Sequence, residues 1–370
     1  MPTDHHIPRP FEAEQVASLL NPDPLVGESA GLFLAAPRRT GKSTFLRRDL
    51  APLLEQQGKC VLYVDLWADR SSDPAKLITA CLANALKDND SLIAKLHRNV
   101  PFTSVGALGF SVNLKSAGQW EGTIPDALLL LCEATQKDVV LIIDEAQQSL
   151  ATEAGKNAMF ALKAARDAVN QSGLPNHLYL VMTGSHRDKL AALIHDQQAP
   201  FFGARVRDFP TLSSSYSTAL THRINARLAP EAQLTAATVE AVFDELGRRP
   251  EILNDCLRDL ILEPTAGDAA LRAIALRKKH QMREALLAEI GTLTKLQQAV
   301  LRKMAVEGIQ FSPYTDATRQ ALAGPDRKPY SKGGVQKALD VLRDRGLVWR
   351  PSFGNYVLEN ADLAQALRGE

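Results

Sequence analysis

The chain has 370 residues, of which 45% are hydrophobic and 23% are charged. This composition is ordinary for folded globular proteins and argues against an intrinsically disordered chain, a collagen-like repeat or a small disulfide-stapled protein. The length predicts two or three domains. Because 43 Lys and Arg residues nearly balance 42 Asp and Glu residues, the net charge is only +1, and any contact with nucleic acid must come from a local basic patch.

The cysteines and the apolar stretches bear on the cellular compartment. The four cysteines form no Cys-x-x-Cys pair, which argues against a zinc knuckle or a dithiol redox centre. We therefore expect them to be small buried side chains. Met1–Pro10 contains no apolar signal-peptide core, and charged residues interrupt the most apolar segments, so neither a signal peptide nor a membrane span is predicted. These features predict a cytoplasmic protein.

Short apolar runs alternate with helical patterns through the first part of the chain. The predicted strands are Gly31–Ala36, Cys60–Leu66, Val139–Ile143, His177–Met182 and Val206–Phe209. Helices are predicted after the first strand up to about Gln57, and at Pro74–Leu86, Thr123–Gln136 and Thr152–Gln171. Glycines interrupt Phe102–Leu114, which favours a hairpin-like insertion there. The alternation predicts an α/β domain with a mostly parallel sheet over residues 1–211.

The rest of the chain changes character twice. From Ser213 to about Glu289 the pattern is all-helical, which predicts a helical lid or linker domain over residues 212–290. Residues 291–370 then predict a winged helix-turn-helix domain. Its expected parts are a helix at Lys295–Glu307, a polar loop containing Pro313, Pro325 and Pro329, a helix at Gly334–Arg345, and short strands at Leu347–Arg350 and Asn355–Leu358.

A phosphate-binding loop is predicted directly after the first strand. Residues 36–43 match the pattern Gly-x-x-x-x-Gly-Lys-Ser/Thr, except that Ala36 replaces the first glycine. In this pattern successive backbone N–H groups wrap the phosphates, and the following helix directs its positive end at the anion. The predicted ATP-contacting residues are Ala36, Pro37, Arg38, Arg39, Thr40, Gly41, Lys42, Ser43 and Thr44. Lys42 is expected to reach the β and γ phosphates, and Ser43 to bind Mg²⁺.

Two carboxylates follow the predicted strand Val139–Ile143 in a Walker B arrangement. Asp144 is expected to hold Mg²⁺, directly or through water. Glu145 is expected to orient and deprotonate the water that attacks the γ-phosphate. The next buried strand ends in Thr183-Gly-Ser185, and Thr183 is expected to lie near the attacking water as a sensor. The alternative is that Thr183 and Ser185 cap the following helix.

These motifs occur in the order found in one group of proteins. The Walker A and B segments, the strand ending Thr183-Gly-Ser185, the stretch Pro200–Arg205 and the stretch Gly247–Pro250 resemble the archaeal-type ATPases of the STAND and AAA+ group of P-loop NTPases. Many members of that group end in a winged helix. The resemblance covers about Phe11 to about Ala361. It implies a parallel sheet of order 5-1-4-3-2, ATP and Mg²⁺ as ligands, and a conformational change or assembly that depends on the nucleotide.

The resemblance also implies roles for arginines. Arg205 looks like the arginine that in this group approaches the γ-phosphate, often from a neighbouring subunit, and Arg207 is an equal chemical candidate. Guanidinium suits the task because it forks two hydrogen bonds onto phosphate oxygens. The alternative is that either arginine pairs with a surface carboxylate. In the lid the usual Gly-x-Pro pattern is longer by one residue here, which makes Arg248, or else Arg249, a candidate sensor arginine in the ATP site.

The C-terminal residues carry a local basic surplus. From Gly291 to Glu370 there are 12 Lys and Arg residues against 8 Asp and Glu residues, a surplus of +4. Side chains at the start of a recognition helix face base edges or phosphates. The candidate DNA contacts are Lys332, Gln336, Lys337 and Arg343, with Arg350 on the wing. Because Asp340 and Asp344 weaken the positive field on the same helix, DNA contact and a protein-docking role both stay open.

The motifs together favour a slow ATPase that acts as a switch. ATP is expected to close the lid and to move or assemble the winged helix, with duplex DNA, a protein or further copies of the chain as partners. One alternative is a non-hydrolysing, nucleotide-bound scaffold or DNA-binding regulator, which an intact Glu145 disfavours. Another is a DExx-box helicase-like motor, because residues 144–147 match that box, but such motors need two tandem sheet domains. The chain has no Asn-Lys-x-Asp motif, which disfavours a GTPase.

Overall fold

The computed structural model describes residues 6–20, 31–36, 40–69, 71–87, 123–263, 267–325, 327–352, 354–359 and 361–368. The chain divides into two structural units. One is Pro8–Pro210, and the other is Thr211–Glu370 together with the short segment that precedes Pro8. The hairpin-like insertion predicted for Phe102–Leu114 lies outside the described residues.

A parallel sheet forms the centre of the Pro8–Pro210 unit. Its strands are β1 (Leu32–Ala35), β2 (Cys60–Asp65), β3 (Val139–Asp144), β4 (Leu178–Gly184) and β5 (Val206–Asp208). They pair in parallel in the order β2-β3-β4-β1-β5. Taken from the β5 edge this order is 5-1-4-3-2, so the predicted α/β fold and its strand order are confirmed. The strands β1, β3 and β4 are buried along their whole length, as parallel strands covered by helices on both faces must be.

Helices cover both faces of the sheet. They are α1 (Pro10–Ser18), α2 (Lys42–Phe45, continuing through Leu46–Leu50 into Ala51–Gln56), α3 (Pro74–Lys87), α4 (Ile124–Thr135), α5 (Glu153–Gln171) and α6 (Arg187–Ala191). Side-chain alternation divides β3 between two cores. Leu141 and Ile143 pack in the core formed with α3, α4 and α5, whereas Val140 and Ile142 pack with α1 and α2. Asp144 continues the second set, so its side chain lies on the face that α2 covers.

Local signals explain where these helices begin. The Thr123 side chain accepts a hydrogen bond from Asp126 N, and the Asp126 side chain accepts one from Thr123 N, which is a capping box at the start of α4. Thr152 caps α5 in the simpler way, accepting from Gly155 N. Within α2 the helix widens into a π turn over Leu46–Leu50. Such turns are rare and occur often at functional sites.

The second unit begins with four helices. They are α7 (Ser214–Asn225), α8 (Ala236–Glu245), α9 (Pro250–Leu262) and α10 (Asp268–Gly291). Their core surrounds Phe243, which packs among Val239, Leu253 and Leu271, all fully buried. Helix α10 has 24 residues. Neither α10 nor any other helix in the described ranges is long and apolar enough to cross a membrane.

Four more helices and a hairpin complete the second unit. They are α11 (Lys295–Glu307), α12 (Asp316–Ala323), α13 (Lys332–Asp344), β6 (Val348–Ser352), β7 (Asn355–Leu358) and α14 (Ala361–Arg368). The two strands are antiparallel. Leu301, Val335 and Leu339 lie in their common core, to which α10 contributes Ile290. The division of this unit at residue 290 stays a prediction.

The predicted polar loop between the two C-terminal helices is wrong in part, because it contains α12. The Thr315 side chain accepts a hydrogen bond from Thr318 N and so caps this helix, and Leu322 is buried against the neighbouring elements. Two other helices, α1 and α14, have no counterpart in the sequence prediction. All three helices have only eight or nine residues, which is shorter than the window of about 11 to 18 residues over which helical periodicity is recognised.

Candidate nucleotide site

The predicted phosphate loop lies between β1 and α2. Ala36 follows β1 and donates a backbone hydrogen bond to Gly184 O at 3.1 Å. Pro37, Arg38 and Arg39 lie outside the described residues. Gly41 has φ 77°, a left-handed conformation that favours glycine, and α2 begins at the next residue, Lys42. The strand, loop and helix context that the motif requires is therefore present.

Asp144 ends β3 and lies at the centre of the site. Its carboxylate is fully buried and accepts four hydrogen bonds. Oδ1 accepts from Thr183 Oγ1 at 2.5 Å and from Glu145 N at 3.0 Å. Oδ2 accepts from Ser43 Oγ at 2.5 Å and from Tyr63 Oη at 3.0 Å. Donors from α2, β2 and β4 therefore fix the orientation of this carboxylate.

Lys42 is the counter-charge for both carboxylates. Its Nζ lies 3.1 Å from Asp144 Oδ1 and also contacts Glu145 Oε1. The side chain of Lys42 is 8% exposed, and those of Asp144 and Glu145 are 0% and 17% exposed. Water therefore screens this charge cluster only weakly.

Glu145 is held by side chains at its other oxygen. Oε2 accepts hydrogen bonds from Gln147 Nε2 at 2.5 Å and from Ser185 Oγ at 2.8 Å. The backbone of Glu145 has φ 55°, a left-handed conformation that is unusual for a residue with a side chain. Such a conformation costs on the order of 1–3 kcal/mol and persists where the surroundings enforce it, often at functional sites.

Burial and pairing act in opposite directions on the two carboxyl groups. Burial raises the pKa of Asp144, but the Lys42 ammonium and the hydrogen bonds from Ser43 and Thr183 outweigh it and hold that pKa below its ordinary value. Burial likewise raises the pKa of Glu145, and Lys42 and its hydrogen-bond donors again lower it overall. Both groups are therefore carboxylates at neutral pH, as metal binding and proton acceptance require.

The strand register explains why these side chains meet. Asp65 of β2 lies beside Asp144, and Ile143 lies beside Met182 of β4. Thr183 is thus level with Asp144 and on the same face. The contribution of Tyr63 is absent from the sequence interpretation. Its only sequence signal is its place two residues before the end of a strand, because alternate residues share a face.

The alternative role of Thr183 and Ser185 as helix caps is wrong. Helix α6 begins at Arg187 with His186 as its N-cap, and no side chain caps it. The Thr183 hydroxyl instead donates to Asp144, and the Ser185 hydroxyl donates to Glu145. The sensor role of Thr183 stays a prediction.

The two predicted arginines of the first unit lie on or beside β5, with Arg207 beside Leu34 of β1. β5 runs parallel to β1, with Val206 beside Phe33 and Asp208 beside Ala35. Arg205 precedes β5 and is exposed. It is three residues before Asp208, so it lies about 10 Å back along the strand direction from the end that faces the phosphate loop. Arg207 is also exposed.

Arg187, which the sequence interpretation missed, lies closer to the loop end of the sheet. It starts α6 and pairs with Asp208 at the end of β5.

The lid arginines have acidic partners within the second unit. Arg248 contacts Glu240 and Asp244 and donates to Leu212 O at 2.8 Å. Burial lowers the pKa of Arg248, but the hydrogen bonds that it donates to Glu240 and Asp244 outweigh burial and raise that pKa overall. Arg249 pairs with Asp362 of α14. The assignment of either arginine to an ATP site stays a prediction.

The candidate DNA contacts fall into two classes. Lys332 and Lys337 are exposed on α13. Gln336 is half-buried, accepting a hydrogen bond from Tyr314 Oη and donating one to Asp340 Oδ1 at 2.8 Å. The other two candidates are half-buried, Arg343 at 3.6 Å from Asp340 and Arg350 on β6. The two lysines are therefore the candidates whose side chains are the most accessible.

Two solved structures share this fold over nearly the whole chain. A Walker-type ATPase of Pyrococcus abyssi is 18% identical and has a TM-score of 0.56, with 97% of this chain and 95% of that chain covered. The ORC2 protein of Aeropyrum pernix in its ADP form is 16% identical and has a TM-score of 0.56, with 99% of this chain and 95% of that chain covered. No protein-family model matches the chain, and no curated protein matches it significantly. At these identities the likeness establishes the fold.

Proposed function

We propose that the chain is an ATP-hydrolysing switch of the AAA+ type, which couples Mg-ATP in its first unit to movement or assembly of its C-terminal winged helix. The observation that carries the proposal is the meeting of Lys42, Ser43, Asp144 and Glu145 where β1 and β3 end. The fold shared with a Walker-type ATPase and with an ADP-form ORC2 structure supports it. Membership of the STAND subgroup is part of the proposal.

The residues fit Mg²⁺ and a nucleotide. Ser43 presents an exposed hydroxyl beside the buried carboxylate of Asp144, and Mg²⁺ prefers such oxygen ligands completed by water and phosphate. Ser43 and Asp144 would hold the ion, directly or through water. The bound ion would neutralise charge that develops on the phosphates. Thr40 to Thr44, where α2 begins, would supply backbone N–H groups to the phosphate chain.

Lys42 and Glu145 would exchange partners when ATP binds. The ammonium of Lys42 contacts both carboxylates. A γ-phosphate would draw Lys42 away and release Oε1 of Glu145. The other oxygen, Oε2, keeps its hydrogen bonds from Gln147 and Ser185. Glu145 would then stay oriented with one oxygen able to accept a proton from the attacking water.

The position of Arg205 makes assembly part of the proposal. Since Arg205 lies at the far end of β5 from its own phosphate loop, it would act on ATP bound by a neighbouring copy. Arg207 would be the alternative. Either guanidinium would stabilise the charge that develops during phosphoryl transfer.

Phosphate release from ATP tests the hydrolytic part. We expect Mg²⁺-dependent phosphate release by the wild-type chain. Glu145→Gln should bind ATP but release phosphate at least about 10²-fold more slowly. Lys42→Ala should lose both. Glu153→Gln is the matched control, because Glu153 is exposed on α5 and pairs with Lys156. Equal turnover in Glu145→Gln and Glu153→Gln contradicts the role of Glu145 as the base.

Duplex DNA tests the partner. Lys332 and Lys337 are exposed at the start of α13, so stimulation of turnover by DNA that is lost in Lys337→Glu supports DNA contact there. Stimulation that survives this substitution contradicts it. ATP binding without turnover under every condition supports a nucleotide-held scaffold instead.

A further inference from the structure

Tyr63 joins the candidate metal site from the neighbouring strand. It lies in β2, and its hydroxyl donates to Asp144 Oδ2 at 3.0 Å. The same oxygen accepts from Ser43 Oγ at 2.5 Å. Ser43 and Asp144 are the two residues proposed to bind Mg²⁺. The Tyr63 hydroxyl therefore donates to the same carboxylate oxygen as one proposed ligand and belongs to the other's hydrogen-bond network.

The guanidinium of Arg47 packs over the ring of Tyr63. Its guanidinium lies 4.4 Å from the centre of the ring, within range of a cation–π interaction. Arg47 is in the π turn of α2, one turn after Ser43. Helix α2 thus reaches Asp144 twice, through the Ser43 hydroxyl and through Arg47 and Tyr63. These contacts connect α2, β2 and β3 to one another.

The phenol stays a donor at neutral pH. A carboxylate can only accept hydrogen bonds, so the Tyr63 hydroxyl is the donor in its contact with Asp144 Oδ2. This gives the contact one direction and one geometry.

We propose that Tyr63 is a positioning residue for the metal site, orienting the Asp144 carboxylate toward the ion that Ser43 binds, and that Arg47 keeps Tyr63 in place. The inference rests on the proposed function. Groups that orient a metal ligand from behind typically change metal affinity by about 10- to 100-fold when they are removed. Tyr63 contacts the ion only through Asp144, so nucleotide binding without metal should not depend on it.

The test compares ADP affinity with saturating Mg²⁺ and with a chelator in place of Mg²⁺. We expect Mg²⁺ to tighten ADP binding by the wild-type chain, and Tyr63→Phe to reduce this tightening about 10-fold. The affinity of Tyr63→Phe for ADP in the chelator should be unchanged, whereas a general structural defect would weaken it. Mn²⁺ binding followed by electron paramagnetic resonance gives a second readout, independent of turnover, and should weaken by the same factor.

Tyr179→Phe is the matched control. Tyr179 lies in β4 and packs in the same core as Tyr63, and its ring lies near Lys59 instead. The control should retain the full effect of Mg²⁺. Arg47→Gln alters an exposed side chain and should reduce the effect in the same direction as Tyr63→Phe, which keeps the proposal testable if Tyr63→Phe does not fold.

The outcomes separate this inference from the proposed function. Tightening by Mg²⁺ that is equal in wild type, Tyr63→Phe and Tyr179→Phe overturns the role of Tyr63 alone. Absence of nucleotide binding by the wild-type chain overturns the proposed function and, with it, this inference. Weakening in the chelator as well as in Mg²⁺ shows that Tyr63 supports the fold and not the metal site.

Discussion

Replacement of Lys42 by alanine should destabilise the nucleotide-free chain, and the structure sets the size of the effect. Lys42 Nζ contacts both Asp144 and Glu145, and all three side chains are at most 17% exposed. Removing one partner from a buried pair typically costs about 3–5 kcal/mol, because an uncompensated charge remains. Here the carboxylates keep donors from Thr183, Ser185 and others, so we expect about 3 kcal/mol.

A second substitution should recover part of the loss. In Lys42→Ala with Glu145→Gln, one of the two carboxylates becomes a neutral amide, and only Asp144 remains charged. Its four hydrogen bonds already stabilise the negative charge. We expect the double variant to be about 1–2 kcal/mol more stable than Lys42→Ala, because removing one uncompensated buried charge recovers part of its cost.

The effect should also depend on pH, with a definite sign. In the wild type both carboxyl groups have pKa values below their ordinary values of 3.8 and 4.5. Their contribution to stability is therefore present above these ordinary values and lost as the pH falls through the lowered ones. In Lys42→Ala the lowering by the ammonium is lost, so both pKa values rise relative to the wild type, and the penalty for charging disappears as the two groups become protonated at lower pH. The stability difference between wild type and variant should narrow from about pH 7 to about pH 4.

Urea unfolding followed by tryptophan fluorescence measures these differences in the full chain without nucleotide. Three variants are needed: Lys42→Ala, Glu145→Gln and their combination. Two results would contradict this role of Lys42. One is a double variant that is no more stable than Lys42→Ala, and the other is a stability difference between wild type and Lys42→Ala that is the same at about pH 7 and about pH 4. Lys156→Ala, which removes an exposed partner of Glu153, is the control and should change stability by less than about 1 kcal/mol.

Three further predictions test neighbouring features. A Cβ atom at Gly184 would lie 2.4 Å from Gln147 Oε1, so Gly184→Ala should displace the amide that donates to Glu145, the proposed base. We expect a lower kcat with little change in ADP affinity; unchanged kcat argues against this orienting role. Arg205→Ala should leave ATP affinity unchanged and lower turnover only at protein concentrations where chains associate, as measured by light scattering alongside phosphate release. Gln336→Leu should lower the melting temperature because Tyr314 loses the Gln336 acceptor and keeps Tyr356 Oη, at 3.1 Å, as a partner. An unchanged melting temperature with weaker DNA binding shows that Gln336 contacts DNA instead.

The sheet could be predicted from sequence because its information is local. The run Val139–Ile143 is a continuous apolar segment followed by two carboxylates, and a strand covered on both faces leaves such a run. The observed strand extends only one residue further, to Asp144. The phosphate motif likewise carries its own context, since Gly41 and Lys42 must follow a strand and start a helix.

Contacts between distant segments could not be predicted in the same way. Tyr63 is a residue type common in β-strands, so its sequence position alone does not mark it. Its hydrogen bond to Asp144 depends on the register that places Asp65 beside Asp144. Arg205 follows a recognisable stretch of sequence, yet only the pairing of β5 with β1 shows that it lies far from its own loop. Gln336 occupies a position typical of a DNA contact, but it accepts a hydrogen bond from Tyr314, which the sequence does not place near it.

The two carboxylates of the site are held in different ways, and this difference suits a switch. Asp144 is bound by donors from α2, β2 and β4 as well as by Lys42, so losing Lys42 to a phosphate leaves four hydrogen bonds in place. Glu145 Oε1 contacts Lys42, while Oε2 is held by Gln147 and Ser185. A phosphate that draws Lys42 away would therefore change the environment of Glu145, the proposed base, while leaving the orientation of Asp144, the proposed metal ligand, unchanged. Binding of ATP would in this way free Oε1 to accept a proton while Gln147 and Ser185 keep Glu145 oriented.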